Sequence, residues 1–269
     1  MNIKKCLSIA GSDCSGGAGI QADIKAFSAN GAFGMSVVTS VVAENTSRVI
    51  SVFNLPVSEI EKQIDAVFED IVVDGVKLGM LPTADIVLAV SEKLRQYKPP
   101  IAVCDPVMVA TSGDALSDGD TVGIMKERLF PIIDLLTPNI PEAEVISGMK
   151  IDNLEDMKTA SERIRSMGVK NVLIKGGHLD GDAVDVLLTP DGEHTLITER
   201  IDSPNTHGTG CTLSSAITAN LANGMDMLSA VTAAKGYITE AIRESFTVGK
   251  GHSPVNHFYE LYKSKGIGE

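Results

Sequence analysis

The chain has 269 residues, 43% of them hydrophobic, with 25 Gly and 11 Pro, enough to bury a large core in one α/β domain and unlike a disordered or collagen-like chain. Lys and Arg number 23 against 35 Asp and Glu, a net charge of −12, which argues against a broad basic face for nucleic acid or anionic lipid. The cysteines Cys6, Cys14, Cys104 and Cys211 form no C-x-x-C pair, so they fit neither a zinc knuckle nor a disulfide framework and point to a reducing compartment.

The apolar stretch in the first ten residues is too short for a signal peptide, and no later run approaches the roughly 18 apolar residues of a membrane span. A soluble, cytoplasmic protein is the expectation. In chain order, short β-rich apolar runs at Cys6–Ala10, Ser36–Val42, Gly75–Leu78, Ile101–Asp105, Leu135–Thr137 and Val172–Lys175 alternate with helical patterns. The helices are expected at Ile20–Asn30, Ser58–Ile71, Ala84–Tyr97, Ser117–Leu129, Pro141–Ser147 and Leu154–Met167, with Ser58 before Glu61 as a start signal. That rhythm predicts right-handed βαβ units around a mostly parallel sheet covered on both faces. Ala183–Leu188 and His194–Glu199 then flank a turn-rich segment, which predicts an antiparallel hairpin at one edge. The last third reads as helices Thr212–Ala222, Leu228–Ser245 and Val255–Tyr262, with no linker or repeat to divide residues 1–269.

Ligands of open α/β sheets sit beyond the carboxyl ends of the strands. Here those ends are polar and glycine-rich: the loop from Gly11 to Gly19 with Asp13, Glu44-Asn45-Thr46, Gly79-Met80, Asp105-Pro106-Val107, Thr137-Pro138-Asn139, Lys175-Gly176-Gly177-His178 and Gly208-Thr209-Gly210-Cys211. The Gly208–Cys211 turn opens a helix, where free N–H groups and the helix dipole hold anions and would lower the pKa of a thiol. A plain turn before a core helix with a buried cysteine is the alternative. The first loop is neither a Gly-x-Gly-x-x-Gly fingerprint nor a P-loop. Asp13 reads either as a substrate neighbour or as a turn aspartate. Taken alone, Glu142 reads as a solvated first-turn residue and Lys175 as a snorkelling surface lysine. Met108–Asp120 reads as a flap or a plain surface loop, and Cys6, Cys14 and Cys104 as packing residues.

The Ser-Gly-Gly-Ala-Gly-Ile-Gln-Ala-Asp run ending at Asp23, Lys77-Leu78-Gly79-Met80-Leu81, Asp105-Pro106-Val107-Met108, Thr137–Ala143, Lys175–His178, Asn205–Cys211 and Gly251–Phe258 occur in that order. Together they closely resemble the hydroxymethylpyrimidine/phosphomethylpyrimidine kinases of thiamine synthesis, over almost the whole chain. The resemblance implies a ribokinase-like three-layer α/β sandwich, ATP and Mg²⁺ as cofactors, and phosphorylation of a small pyrimidine alcohol and then of its monophosphate. It implies that Cys211 takes the proton where most ribokinase-like enzymes use an Asp, with Gly208 and Gly210 forming the anion hole. Lys175, Asn139 and Thr209 would face the nucleotide, and Asp105 and Glu142 the Mg²⁺. Gly11, Asp13, Ala18, Val42, Glu44, Met80 and Val107 would surround the pyrimidine.

Position 44 departs from the family's usual Gln, and Glu44 is expected to accept two hydrogen bonds from a ring protonated on nitrogen, unless it points to solvent. A homodimer is the implied assembly. A pyridoxal kinase of the same branch and a non-catalytic pyrimidine-binding sensor remain the alternatives.

Overall fold

In the computed structural model, residues 2–108, 119–177 and 181–267 are described. The first half runs β1 (Lys5–Asp13), α1 (Gly19–Ala29), β2 (Phe33–Asn45), β3 (Arg48–Asn54), α2 (Val57–Phe68), β4 (Gly75–Leu78), α3 (Ala84–Tyr97) and β5 (Ala102–Cys104). After it come α4 (Gly119–Ile124), a π turn over Met125–Leu129, a 3-10 turn over Phe130–Ile132, β6 (Leu135–Leu136), α5 (Ile140–Ser147) and α6 (Leu154–Arg165). The chain ends with β7 (Asn171–Ile174), β8 (Ala183–Thr189), β9 (Gly192–Thr198), α7 (Thr209–Ala222), α8 (Met227–Arg243) and α9 (Tyr259–Ser264).

The strands form one nine-stranded sheet in the order β3-β2-β1-β4-β5-β6-β7-β8-β9. From β2 to β7 the pairings are parallel; β3 closes one edge and the β8–β9 hairpin the other, all antiparallel. Strand alternation sends the apolar side chains to both faces of the sheet. Cys104, Leu136, Val172 and Ile174 face Ile86 and Val90 of α3 and Met157, Ala160 and Ile164 of α6. Val103, Leu135, Leu173 and Leu187 face Ile217 of α7 and Val231, Ala234 and Ile238 of α8. Because both faces are covered, β4 and β7 are buried at every residue, which is why their sequences read as continuous strands.

The parallel sheet and the edge hairpin agree with the sequence expectation, but four elements differ. β2 continues through Glu44 and Asn45 and turns back into β3, which the sequence analysis did not assign. Its Ile50 and Phe53 stand 63% and 64% exposed, so β3 lacks the buried face that alternation detects. Pro56, without a side-chain cap, precedes α2 in place of Ser58. The expected helix over Val255–Tyr262 is confined to Tyr259–Ser264. Cys14 is exposed and not a packing residue. Most of the expected flap over Met108–Asp120, and His178, lie outside the described residues. Among the described residues no helix is long and apolar enough to cross a membrane.

Candidate active site

The chain leaves β1 toward β2 on one side and builds β4, β5, β6 and β7 on the other, so a crevice opens beyond the carboxyl ends of these strands. There a cavity of about 760 Å³ is lined by every residue to which the resemblance gives a site role, from Gly11, Asp13, Ala18, Val42, Glu44, Met80 and Val107 to Asp105, Asn139, Glu142, Lys175, Gly208, Thr209, Gly210 and Cys211.

The floor of the cavity is made by the first turns of α1 and α7. Neither helix has a side-chain N-cap: Ala18 precedes α1 and Gly208 precedes α7. At the start of α7 the leading N–H groups that no side chain caps are oriented for an anion, while the Gly19 N–H that opens α1 is turned to the Cys211 sulfur. Gly208 has φ +77°, and a Cβ there would collide with the Gly17 carbonyl oxygen. Glycine is thus required both by the left-handed backbone and by the close approach of the two turns. A Cβ on Gly210 would stand 3.2 Å from Asp105 Oδ2 and from Lys175 Nζ, which places this turn against the charged residues after β5 and β7. The C-terminal segment braces it: His207 N–H donates to Ser253 O at 3.2 Å, and Thr212 Oγ1 lies 2.9 Å from His257 Nε2.

Cys211 is half-buried on this floor. Burial pushes its thiol up to about 11; Lys77 and a hydrogen bond from Gly19 N–H oppose that rise, while Asp23 and Asp105 add to it. This corrects the expectation of a thiol whose pKa is lowered by the helix terminus. The helix field is present, but removal from water and two neighbouring carboxylates outweigh it, so the resting sulfur is a neutral thiol.

Beside it, Lys175 Nζ donates to Asp105 Oδ1 at 2.8 Å, and Thr137 Oγ1 donates to the same oxygen at 3.2 Å. Asp105 is 3% exposed. Glu142 completes a capping box on α5: Asn139 N–H donates to Glu142 Oε2 at 2.8 Å, and Glu142 N–H donates to Asn139 Oδ1 at 2.9 Å. It is buried as well as capping, and burial together with the Asp105 charge raises its carboxyl above the usual range against the pull of Lys175. Among the described residues no hydrogen bond reaches Asp105 Oδ2. Two buried carboxylates that repel each other, one with an oxygen left over, form a donor set suited to a hard, partly hydrated cation such as Mg²⁺.

At the opposite end, Asp13 accepts from Ser15, Gly17 and Ala18 N–H at 2.7, 2.9 and 2.7 Å and pairs with His207 Nε2 at 2.9 Å. Burial works against its charge, yet the bonds from His207, Ser15 and Ala18 win and hold its pKa at about 2. Asp13 is therefore both a loop-ordering aspartate and a cavity charge. One polar atom each from Asp13, Glu44 and His207 lie within 4.8 Å of one another. Glu44 points into the cavity and not to solvent; burial, with Asp13 adding and His207 opposing, raises its pKa to about 7. Among the described residues its carboxylate takes no hydrogen bond. Val42, Met80 and Val107 supply apolar walls, and Met80 is fixed where its carbonyl accepts from Thr39 Oγ1 at 2.8 Å.

Asp23 and Lys77, which touch the floor from below, had no site role assigned from the sequence. The signal for Lys77 was available: a lysine inside Gly75–Leu78, a strand otherwise apolar on both faces, must carry a buried partner.

Paired helix N-termini, a thiol, a lysine and a carboxylate pair meet at the switch point of this sheet, an arrangement suited to holding an anionic group beside a cation. The model of the phosphomethylpyrimidine kinase family matches residues 13–256, and the chain belongs to that family. Two curated relatives agree. The thiamine biosynthesis bifunctional protein ThiED of Geobacter sulfurreducens is 49% identical over 93% of this chain, which spans about half (51%) of that longer relative. The hydroxymethylpyrimidine/phosphomethylpyrimidine kinase of Haemophilus influenzae is 43% identical over 96% of this chain and 97% of its own length. Among solved structures, a Bacillus subtilis pyridoxal kinase in complex with ADP superposes with a TM-score of 0.90 at 38% identity, covering 97% of this chain and 99% of that one.

Proposed function

We propose that the chain transfers the γ-phosphoryl group of ATP to the hydroxymethyl oxygen of 4-amino-5-hydroxymethyl-2-methylpyrimidine, and then phosphorylates the monophosphate so formed to the diphosphate. The observation that carries this reading is the convergence of Cys211, the paired helix starts, Glu44 and the Asp105–Lys175 pair on one cavity. The pyrimidine lies between Val42, Met80 and Val107, with its amino edge on Glu44 and its hydroxymethyl group toward Cys211. The nucleotide phosphates lie along Lys175, Asn139 and Thr209, with the γ-phosphate on the N–H groups of Gly210 and Cys211.

Asp105 and Glu142 would hold Mg²⁺, which supplies charge neutralisation at the phosphate oxygens when bound. Lys175 neutralises a further phosphate oxygen. Phosphoryl transfer has a loose transition state, so positioning and electrostatics dominate and the hydroxyl proton leaves late. Cys211 takes that proton. With Asp105 neutralised, one of the carboxylates holding the thiol up is removed, while Lys77 and Gly19 N–H still favour the thiolate. In the second step the monophosphate turns its phosphate oxygen to the position the hydroxyl held. Residues 1–269 act as one domain. A cytoplasmic homodimer is part of the same reading, with the open β3 edge and its exposed Ile50, Val52 and Phe53 available to a second copy.

Incubation with the pyrimidine alcohol, ATP and Mg²⁺, with products resolved by mass, tests the proposal against pyridoxal in a parallel reaction. Sequential mono- and diphosphate of the pyrimidine is the expected result. Preferential phosphorylation of pyridoxal, or pyrimidine binding without ATP turnover, would refute it.

A further inference from the structure

Beneath the cavity floor lies a charged cluster with no direct contact to solvent. Lys77 and Asp23 both have side chains with 0% exposure, and Lys77 Nζ donates to Asp23 Oδ1 at 2.7 Å and Oδ2 at 2.9 Å. Asp23 also accepts from Ser8 Oγ at 2.5 Å and from Ser215 Oγ at 2.8 Å. Asp23 is one turn along α1 from Gly19, whose N–H donates to the Cys211 sulfur, and Ser215 is one turn along α7 from Cys211. The cluster therefore ties α1 to α7 one turn below their facing N-termini. A buried ion pair is a poor source of stability, since well-packed apolar side chains in its place are often neutral or stabilising. Its placement asks for another explanation.

We propose that Lys77 is a positioning residue for phosphoryl transfer: clamped by Asp23, its ammonium fixes the spacing of the two helix starts and holds a positive charge beneath Cys211 and the incoming phosphoryl group. The charged groups facing Cys211 are Lys77 from β4, Asp23 from α1, Asp105 after β5 and Lys175 after β7. Lys175 spends its charge on Asp105 at 2.8 Å. Asp23 spreads its charge over Lys77 and two serine hydroxyls. Lys77 is consequently the strongest charge opposing the neutral state of the sulfur. The importance of that charge for catalysis rests on the reading of Cys211 as proton acceptor; the geometric tie between the helices does not.

The test compares wild type with Lys77→Met and with Lys77→Met/Asp23→Asn, in which the orphaned carboxylate is removed so that the fold is relieved of it. Iodoacetamide labelling of Cys211 is read by peptide mass against exposed Cys14 as internal standard, beside kcat and the KM for ATP. In Lys77→Met the Cys211/Cys14 labelling ratio is expected to fall roughly tenfold, the equivalent of about one pH unit, and kcat to fall with it while KM for ATP stays near wild type. The double variant is expected to melt near the wild-type temperature and to recover only part of the ratio and of kcat, because the Asp23 carboxylate that raises the thiol is removed along with the lysine. A double variant that restores both in full, or a single variant with an unchanged ratio, would overturn the proposal; if Lys77→Met does not fold, the double variant decides alone. A fall in the ratio together with full turnover by Cys211→Ser would leave the influence of Lys77 on the sulfur intact and remove Cys211 as the proton acceptor.

Discussion

At one end of the cavity Asp105 is already paired with Lys175 at 2.8 Å and Glu142 is tied into its capping box; at the other, the Glu44 carboxylate projects into the space and takes no hydrogen bond among the described residues. Both ends bury carboxylates, but the first holds its charges in place before any ligand arrives and the second leaves one to be matched. On the proposed function the first is the transfer end, and its preorganisation is what electrostatic stabilisation of a transition state requires. The recognition end keeps a carboxyl poised near neutrality, which is what discrimination between rings requires, because only a ligand offering complementary hydrogen bonds satisfies it.

The sharpest way to break this contrast is to spoil the preorganised end without touching its charges. Gly208→Ala forces a side chain into the Gly17 carbonyl at a positive φ, so the two helix starts must separate. A loss of about 100-fold or more in kcat is expected from a misplacement of this kind, with KM for the pyrimidine little changed, as steady-state kinetics will show. Glu142→Gln should be next. Removing one carboxylate from the cation site is expected to raise the Mg²⁺ concentration for half-maximal rate by roughly 10- to 100-fold, while a melt without Mg²⁺ moves much less, because the amide can still accept from Asn139 N–H.

The smallest effect belongs to the recognition end. Glu44 has its pKa raised to about 7, so it is a neutral acid below that pH and a carboxylate above it. On the proposed reading, binding the aminopyrimidine edge needs one proton shared between Glu44 and the ring nitrogen. Affinity should therefore be retained below pH 7 and lost as pH rises through that value, by about tenfold per unit once both groups are deprotonated. In Glu44→Gln the amide supplies the donor at any pH and this limb of the kcat/KM profile should disappear. An unchanged profile would count against the shared-proton pair.

The parallel sheet and its glycine-rich carboxyl ends were legible because buried strands and helix starts leave local marks: Gly75–Leu78 is uninterrupted in burial and Asn139 stands three residues before Glu142. The cavity wall was legible for the same reason, one polar loop per strand end. What could not be read locally was anything set by partners distant in the chain. The Asp23–Lys77 pair spans a separation of 54 residues and the Asp13–His207 pair 194, and the ionisation of Cys211 depends on burial that no motif encodes. β3 escaped for a different reason, since an edge strand exposing Ile50 and Phe53 has the composition of a core strand and the pattern of none.

The central claim is that Cys211 acts in the transfer step and not in holding ligands. Single-turnover phosphorylation by Cys211→Ser, with ATP and the pyrimidine at saturating concentrations and their affinities measured separately, tests it most directly. Affinities near wild type with a transfer rate lowered at least about 100-fold are expected for a lost proton acceptor. Transfer at close to the wild-type rate would contradict the account.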